Sequence, residues 1–281
     1  MPGLQKEIWI ADIQENPIPD HSFVGASTDV SEHVDNNTLH LQEAGIEPGV
    51  HEDYFANTSD ELPVAEIEDI PHEVTLKTYS TEQTRHRDLE DVELSYDKKA
   101  SVINRHKTSL AKNIGKRAAF SWTPAATNEF NKLMQLGGGS ILNTIIDLQL
   151  FYDTHDMAEN LNLCLSPDHL ARIRKEDKKL YKEIFSEKKP ELYGFRLFKY
   201  SQTPIFTSTG TKKPFGAVAE AGDVRSSFSW CSDETFRCFG DTQMYETLKH
   251  SGFQADLLSF AQRALVGNKR AQNVKYLGGL I

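Results

Sequence analysis

Basic residues are nearly missing from the first quarter of this 281-residue chain. Residues 1–76 carry 17 Asp and Glu against one base, Lys6, a balance of −16; the other 205 carry 24 acids against 30 bases, +6, which together make −10. An acidic arm on a mildly basic body predicts that the arm meets basic surfaces or repels polyanions, or else stays a solvated leader. No run of about 18 apolar residues occurs, which excludes a membrane-crossing helix. The opening "MPGLQKEIWIADIQ" lacks a basic region followed by an apolar stretch, so no secretory signal is expected. The three cysteines are odd in number and lack metal-site spacing, so Cys164, Cys231 and Cys238 are expected to be reduced, structural thiols of a cytoplasmic chain.

The length suffices for one large domain or two small ones. Residues 1 to about 57 have weak periodicity and many breakers ("ENPIPDHS", "VDNNTL", "GIEPGV"), which predicts an extended arm with apolar anchors at Ile8, Trp9 and Ile10. "HEVTLKTYST" alternates as a strand, "EQTRHRD" is a polar tip and "LEDVELSY" returns, predicting a two-stranded projection that needs a neighbouring molecule for cover. "YDKKASVINRHKTSLAKNIGKRAA" places Ile103, Leu110, Ile114 and Ala118 on one stripe, predicting a helix of about 20 residues. "ATNEFNKLMQL" is expected to continue helically to Gly137. Beyond it, "SILNTIIDLQLFYDTHDM" predicts a helix, "NLNLCL" a strand, "SPDHLARIRKEDKKLYKEIF" one helix capped by Ser166, and "YGFRLFKYS" a strand. "VRSSFSWCS" and "DLLSFAQRALV" read as strands before a basic tail, "GNKRAQNVKYLGGLI". This order predicts an α+β or α/β layer from about 138 to 222.

Chemistry-bearing motifs are weak. "LGGGSILN" lacks the Lys-Ser/Thr of a phosphate loop and the dinucleotide spacing, so it is read as a hinge. "YDTHDMAEN" gathers Asp153, His155, Asp156 and Glu159 at a helix end, where polar groups normally cap and solvate. An enzyme centred there is the competing functional reading. Ser140 and Ser166 stand in no nucleophile elbow, and Cys164 occupies an apolar strand position.

The basic helix is the remaining feature. Lys98, Lys99, Arg105, Lys107, Lys112, Lys116 and Arg117 lie between Asp97, the sole acid there, and Ala119. Three readings fit: a solvated face, sequence-independent contact with nucleic-acid phosphate, or pairing with acidic segments of other subunits.

In order, the elements resemble those of the major capsid protein of tailed bacteriophages, whose fold is shared with encapsulin compartments and the herpesvirus capsid floor. "LEDVELSYDKKASVINRHKTSLAKNIGKRAAFSW" resembles that family's passage from extended loop into spine helix. "ILNTIIDLQLFYDTHDMAENLNLCLSPDHLARI" and "YGFRLFKYSQTPIF" resemble its axial domain, and "VRSSFSWCSDETFRCFGD" with "DLLSFAQRALVGNKRAQNVKYLGGLI" its returning peripheral strands. The resemblance implies an α+β chain divided into an arm (1–55), an extended loop (56–95), a peripheral domain with the spine helix (96–137), an axial domain (138–222) and a return to the peripheral domain (223–281). It implies a self-assembling icosahedral shell enclosing double-stranded DNA, with an encapsulin-like compartment as the alternative. Pentamers and hexamers of the chain, a separate scaffolding protein, a portal and a possible decoration protein would be its partners, and the virion its location after assembly in the host cytoplasm. It implies no catalytic residue, cofactor, metal or membrane. The seven basic residues would face packaged DNA, and Trp9, Arg85 and Arg87 would meet other subunits. "STEQTRHRDL" has no lysine, so the cross-link made at the loop of some members is not implied.

Overall fold

Two sheets carry the apolar patterning, and one long helix joins them. The computed structural model describes residues 22–35, 38–43, 50–57, 61, 70–86, 98–186, 190–270 and 273–281. After a 3₁₀ turn at Ser22–Gly25 come β1 (Thr28–Asp29), β2 (Val34–Asp35), β3 (Thr38–Glu43), α1 (Tyr54–Asn57), β4 (Ile70–Thr75), β5 (Lys77–Ser80) and β6 (Thr84–His86). Then follow α2 (Lys98–Ser121), β7 (Asn131–Met134), α3 (Ile141–Asp153), β8 (Leu161–Leu165), α4 (Pro167–Glu176), α5 (Lys178–Ser186), β9 (Glu191–Leu192) and β10 (Phe195–Lys199). The chain closes with β11 (Ile205–Phe206), β12 (Val224–Arg225), β13 (Ser227–Cys231), β14 (Thr235–His250), β15 (Ala255–Asn268) and β16 (Leu277–Leu280).

The six-stranded sheet has the order β7-β16-β13-β8-β10-β9. β10 runs parallel to β8, a pairing that needs a crossover, and α4 with α5 supplies it. Strands β8, β13 and β16 are buried along their whole length, because both faces of the sheet are covered. On one face Leu161, Leu163, Leu165, Phe195 and Leu197 meet Ile145, Leu148 and Tyr152 of α3, Ile173 of α4 and Ile184 of α5. On the other, Cys164, Phe198, Phe228 and Trp230 meet Phe23 and the second half of α2 through Ile114, Ala118 and Trp122. Trp122 stacks on Trp230 at 5.2 Å. Gly278 allows α3 to approach β16: a Cβ there would collide with Ser229 Oγ and stand 2.7 Å from Leu148 Cδ1.

The five-stranded sheet is built on the β14–β15 hairpin, with β1 on β14 and both β5 and β6 on β15. The first half of α2 packs here, Val102, Ile103 and Leu110 lying against Met244, Leu258 and Phe260. So α2 spans both sheets: its first half packs on the hairpin, and its second half packs on the six-stranded sheet and on Ala264 of β15.

Several expectations are corrected. Of the projection expected within 56–95, β4 lies against β3, across residues 44–69, while β5 and β6 join β15. Two segments of matching alternation flanked a polar tip, and local pattern does not reveal which strands pair. The returning "LEDVELSY" lies outside the described residues. The helix expected through "ATNEFNKLMQL" does not form: residues 125–130 are irregular, and Asn131–Met134 are β7, whose backbone is claimed by parallel pairing with β16. The predicted basic tail ends in that buried β16, central to the sheet. The helix expected from Pro167 to Phe185 breaks at Asp177, whose carboxylate accepts from the N–H groups of Lys179 and Leu180. Among the described residues of the arm, the anchors are Phe23 and Val24; Ile8, Trp9 and Ile10 lie outside them.

Candidate nucleic-acid face and subunit contacts

α2 spans 24 residues, seven of them basic and none acidic. Positions 98, 105, 112 and 116 recur at intervals of seven, seven and four, which keeps them on one face. At 1.5 Å per residue, positions 105 and 112 are about 10 Å apart and positions 112 and 116 about 6 Å. Arg105, Lys112 and Lys116 are exposed, and among the described residues none of the three has an ion-pair partner. The other bases do not share this face. Lys107 is half-buried, and the half-buried Arg117 lays its guanidinium over the rings of Tyr79 (4.8 Å) and Phe215 (4.5 Å). Lys98 and Lys99 form the first turn of α2, with side chains outside the described set.

The end of α2 is closed by residues that sequence reasoning missed. Its last carbonyls need donors, and no glycine cap follows Ser121. Lys212 Nζ donates to Phe120 O (2.7 Å) and Thr123 O (2.6 Å), and it lies 4.1 Å from the Phe120 ring centroid. Asn268 Nδ2 donates to Ser121 O at 3.2 Å. A cation suits the negative end of the helix dipole, yet burial outweighs this and pulls the Lys212 ammonium down to about 8. Next to it Lys213 is bound to Asp223 (2.6 Å) and Glu220 (2.9 Å). These bonds hold the segment 202–217 against α2 and leave a cleft of about 530 Å³ between them. The missing glycine was the one local clue, and it does not say which lysine answers it.

The glycine run also resolves. Ser140 caps α3 by accepting from Asn143 N (3.2 Å), and the Glu176 carboxylate accepts from the Ser140 hydroxyl and from Ile141 N. The chain's own carboxylate thus occupies the place at a helix N-terminus that a phosphate would take. His155 contacts two backbone carbonyls, Phe151 O through Nδ1 (2.8 Å) and Glu129 O through Nε2 (3.1 Å), amid the rings of Phe130, Phe151 and Tyr276. Asp153 and Asp156 point to solvent nearby. This geometry ties the end of α3 to the turn before β7. Among the described residues no group of three or more His, Cys, Asp or Glu could hold a metal ion.

Arg85 is exposed and lies over Phe253 (4.3 Å) at the β14–β15 turn, where His250 stacks on the same ring at 4.8 Å. Trp9 and Arg87 fall outside the described residues. Two further apolar side chains stand in water between β3 and β4: Val50 is 97% exposed and Phe55 68%.

No protein-family model and no curated protein matches the chain. Solved structures do. The capsid of a native GTA particle is similar over 93% of this chain and 90% of its own, with TM-score 0.66 and 12% identity. A chain from Mycobacterium phage Che8 is similar over 95% and 89%, with TM-score 0.61 and 10% identity. A virus-like particle from Pyrococcus furiosus is similar over 99% of both chains, with TM-score 0.61 and 11% identity. The chain therefore has the α+β fold of the tailed-phage major capsid proteins.

Proposed function

We propose that this chain is the major shell subunit of a tailed-phage-type capsid, assembling with its own copies into pentamers and hexamers of an icosahedral container for double-stranded DNA. The observation that carries this is the extent of the fold match, which spans nine-tenths or more of the chain in capsid after capsid. Exposed apolar side chains support it: Val50 and Phe55 stand in water between β3 and β4, where a neighbouring copy would cover them. The phage type is preferred to an encapsulin-like compartment because most of the similar structures are phage capsids. The virion is then the subunit's final location, and a separate scaffolding protein and a portal would take part in assembly. Electron microscopy of the purified chain, with light scattering on the same sample, tests this. Closed shells, tubes or five- and six-membered rings are expected. A monomer that persists when a scaffolding protein is supplied overturns the proposal.

A further inference from the structure

We infer that the cleft between α2 and the 202–217 segment binds the phosphodiester backbone of nucleic acid, an inference that rests on the shell proposal only for where the nucleic acid comes from. Ser109, Lys112, Asn113 and Lys116 form one wall, and Lys213 and Arg225 stand among the other lining residues. Among the described residues, no Asp or Glu lines the cleft. The adjoining cleft shares Phe120 and Phe215 with it, and is lined by Lys77, Arg117 and Lys212, with no acid among its described lining. The cations divide by task. Lys213 is held by Asp223 and Glu220, and Arg225 donates to Thr203 O at 3.0 Å, so these two build the far wall. Lys112 and Lys116 have no ion-pair partner among the described residues and are left for a ligand.

The spacing selects the ligand. From Arg105 to Lys116 the exposed cations extend about 16 Å along the helix, which is roughly five phosphate steps of a DNA strand at ~3.4 Å each. A small anion would use one end of this track, whereas a polyphosphate backbone uses all of it. An acidic protein segment fits less well. Residues 1–76 hold one acid per about 4.5 residues, or roughly 15 Å of extended chain at about 3.3 Å per residue. Lys112 and Lys116, about 6 Å apart, would seldom both be matched.

The test is fluorescence anisotropy of the full-length chain with labelled 30-base-pair DNA between 50 and 200 mM salt. Lys112→Gln/Lys116→Gln is expected to lower the salt slope by about two, because each neutralised phosphate contributes about 0.9. Asn113→Lys is expected to raise the slope by about one, and Lys175→Gln/Lys179→Gln on α4 and α5 to leave affinity within about twofold. A slope unchanged in both cleft variants, or an equal loss in the α4–α5 control, overturns the inference. So does a cleft variant that alters assembly and not DNA binding, the result expected if an acidic protein segment occupies the cleft. Micrographs of the same samples keep the two proposals apart: shells without a slope change sink only the cleft, and a slope change without shells sinks only the capsid.

Discussion

The six-stranded sheet and the β14–β15 hairpin solve the same problem differently. Every residue of β8, β13 and β16 is buried, because α3, α4 and α5 cover one face and α2 with Phe23 covers the other. On the hairpin, α2 packs on Met244, Leu258 and Phe260 and on Ala264, and Val30, Leu39, Leu41 and Leu76 cover Phe236, Cys238 and Leu265. Beyond them Tyr245, Leu248 and Phe253 stand exposed, Tyr245 at 55%. Among the described residues, those three strands are covered throughout, whereas the hairpin keeps apolar side chains in water near its turn. Apolar surface left in water at the hairpin turn is what a neighbouring copy would cover if the shell proposal holds.

The sharpest way to break that contrast is Gly278→Val. Its Cβ would enter space held by Ser229 Oγ and Leu148 Cδ1, both locked in the core. Overpacking of this kind costs on the order of 3 kcal/mol, so denaturant unfolding should show a large drop or no folded protein. A stability within about 0.5 kcal/mol of wild type, the range of an ordinary surface change, would mean that α3 is not pressed against β16.

A smaller effect tests the polar seam of the same sheet. His169 is buried in the first turn of α4, with Nδ1 2.7 Å from Ser227 Oγ, which also accepts from Ser166 N. Burial, aided by Arg172 and opposed by Asp168, lowers its pKa from 6.5 to about 4. The unfolded chain therefore takes up this proton first, and the stability His169 contributes above pH 6.5 is lost as pH falls towards 4. Urea unfolding at pH 7 and pH 4.5 should show wild type losing about 2 kcal/mol more than His169→Gln. Burial also lowers the pKa of His106, which adds a loss of the same sign to both proteins. Equal losses in the two would remove His169 from the account.

The smallest effect lies on the projection. Arg85→Ala removes one cation–π contact at the hairpin turn, worth about 0.5–1 kcal/mol at an exposed site. Its unfolding midpoint should hardly move, while assembly yield, read by light scattering, should fall. If subunit stability fell as far as in Gly278→Val, the projection would belong to the core and the contrast would fail.

Some local patterns were legible, although "ATNEFNKLMQL" and the break at Asp177 were not. The alternation in "NLNLCL" and "FRLFK", the Ser166-Pro167 start of α4 and the apolar stripe of α2 each report the geometry of a few neighbouring residues. The seven basic residues were equally visible, because charge is a property of composition. Their division was not. Arg117 turns out to be stacked on Tyr79 and Phe215, Lys107 half-buried, and Arg105, Lys112 and Lys116 exposed on one face. Lys212, 89 residues beyond Thr123 in sequence, closes the helix end with no local signature.

By itself, the sequence determined the acidic composition of the first quarter, the long acid-free helix and three strands of the six-stranded sheet, β8, β10 and β13, since helical and strand periods and charge are written in short windows. Tertiary structure alone decided that β3 pairs with β4 across residues 44–69, that the terminal "LGGL" is the buried β16, and that a cleft lies beside Lys112 and Lys116. The reason is that strand pairing and close packing depend on surfaces distant in sequence. Alternation says which face of a strand is buried, and says nothing of what will cover it.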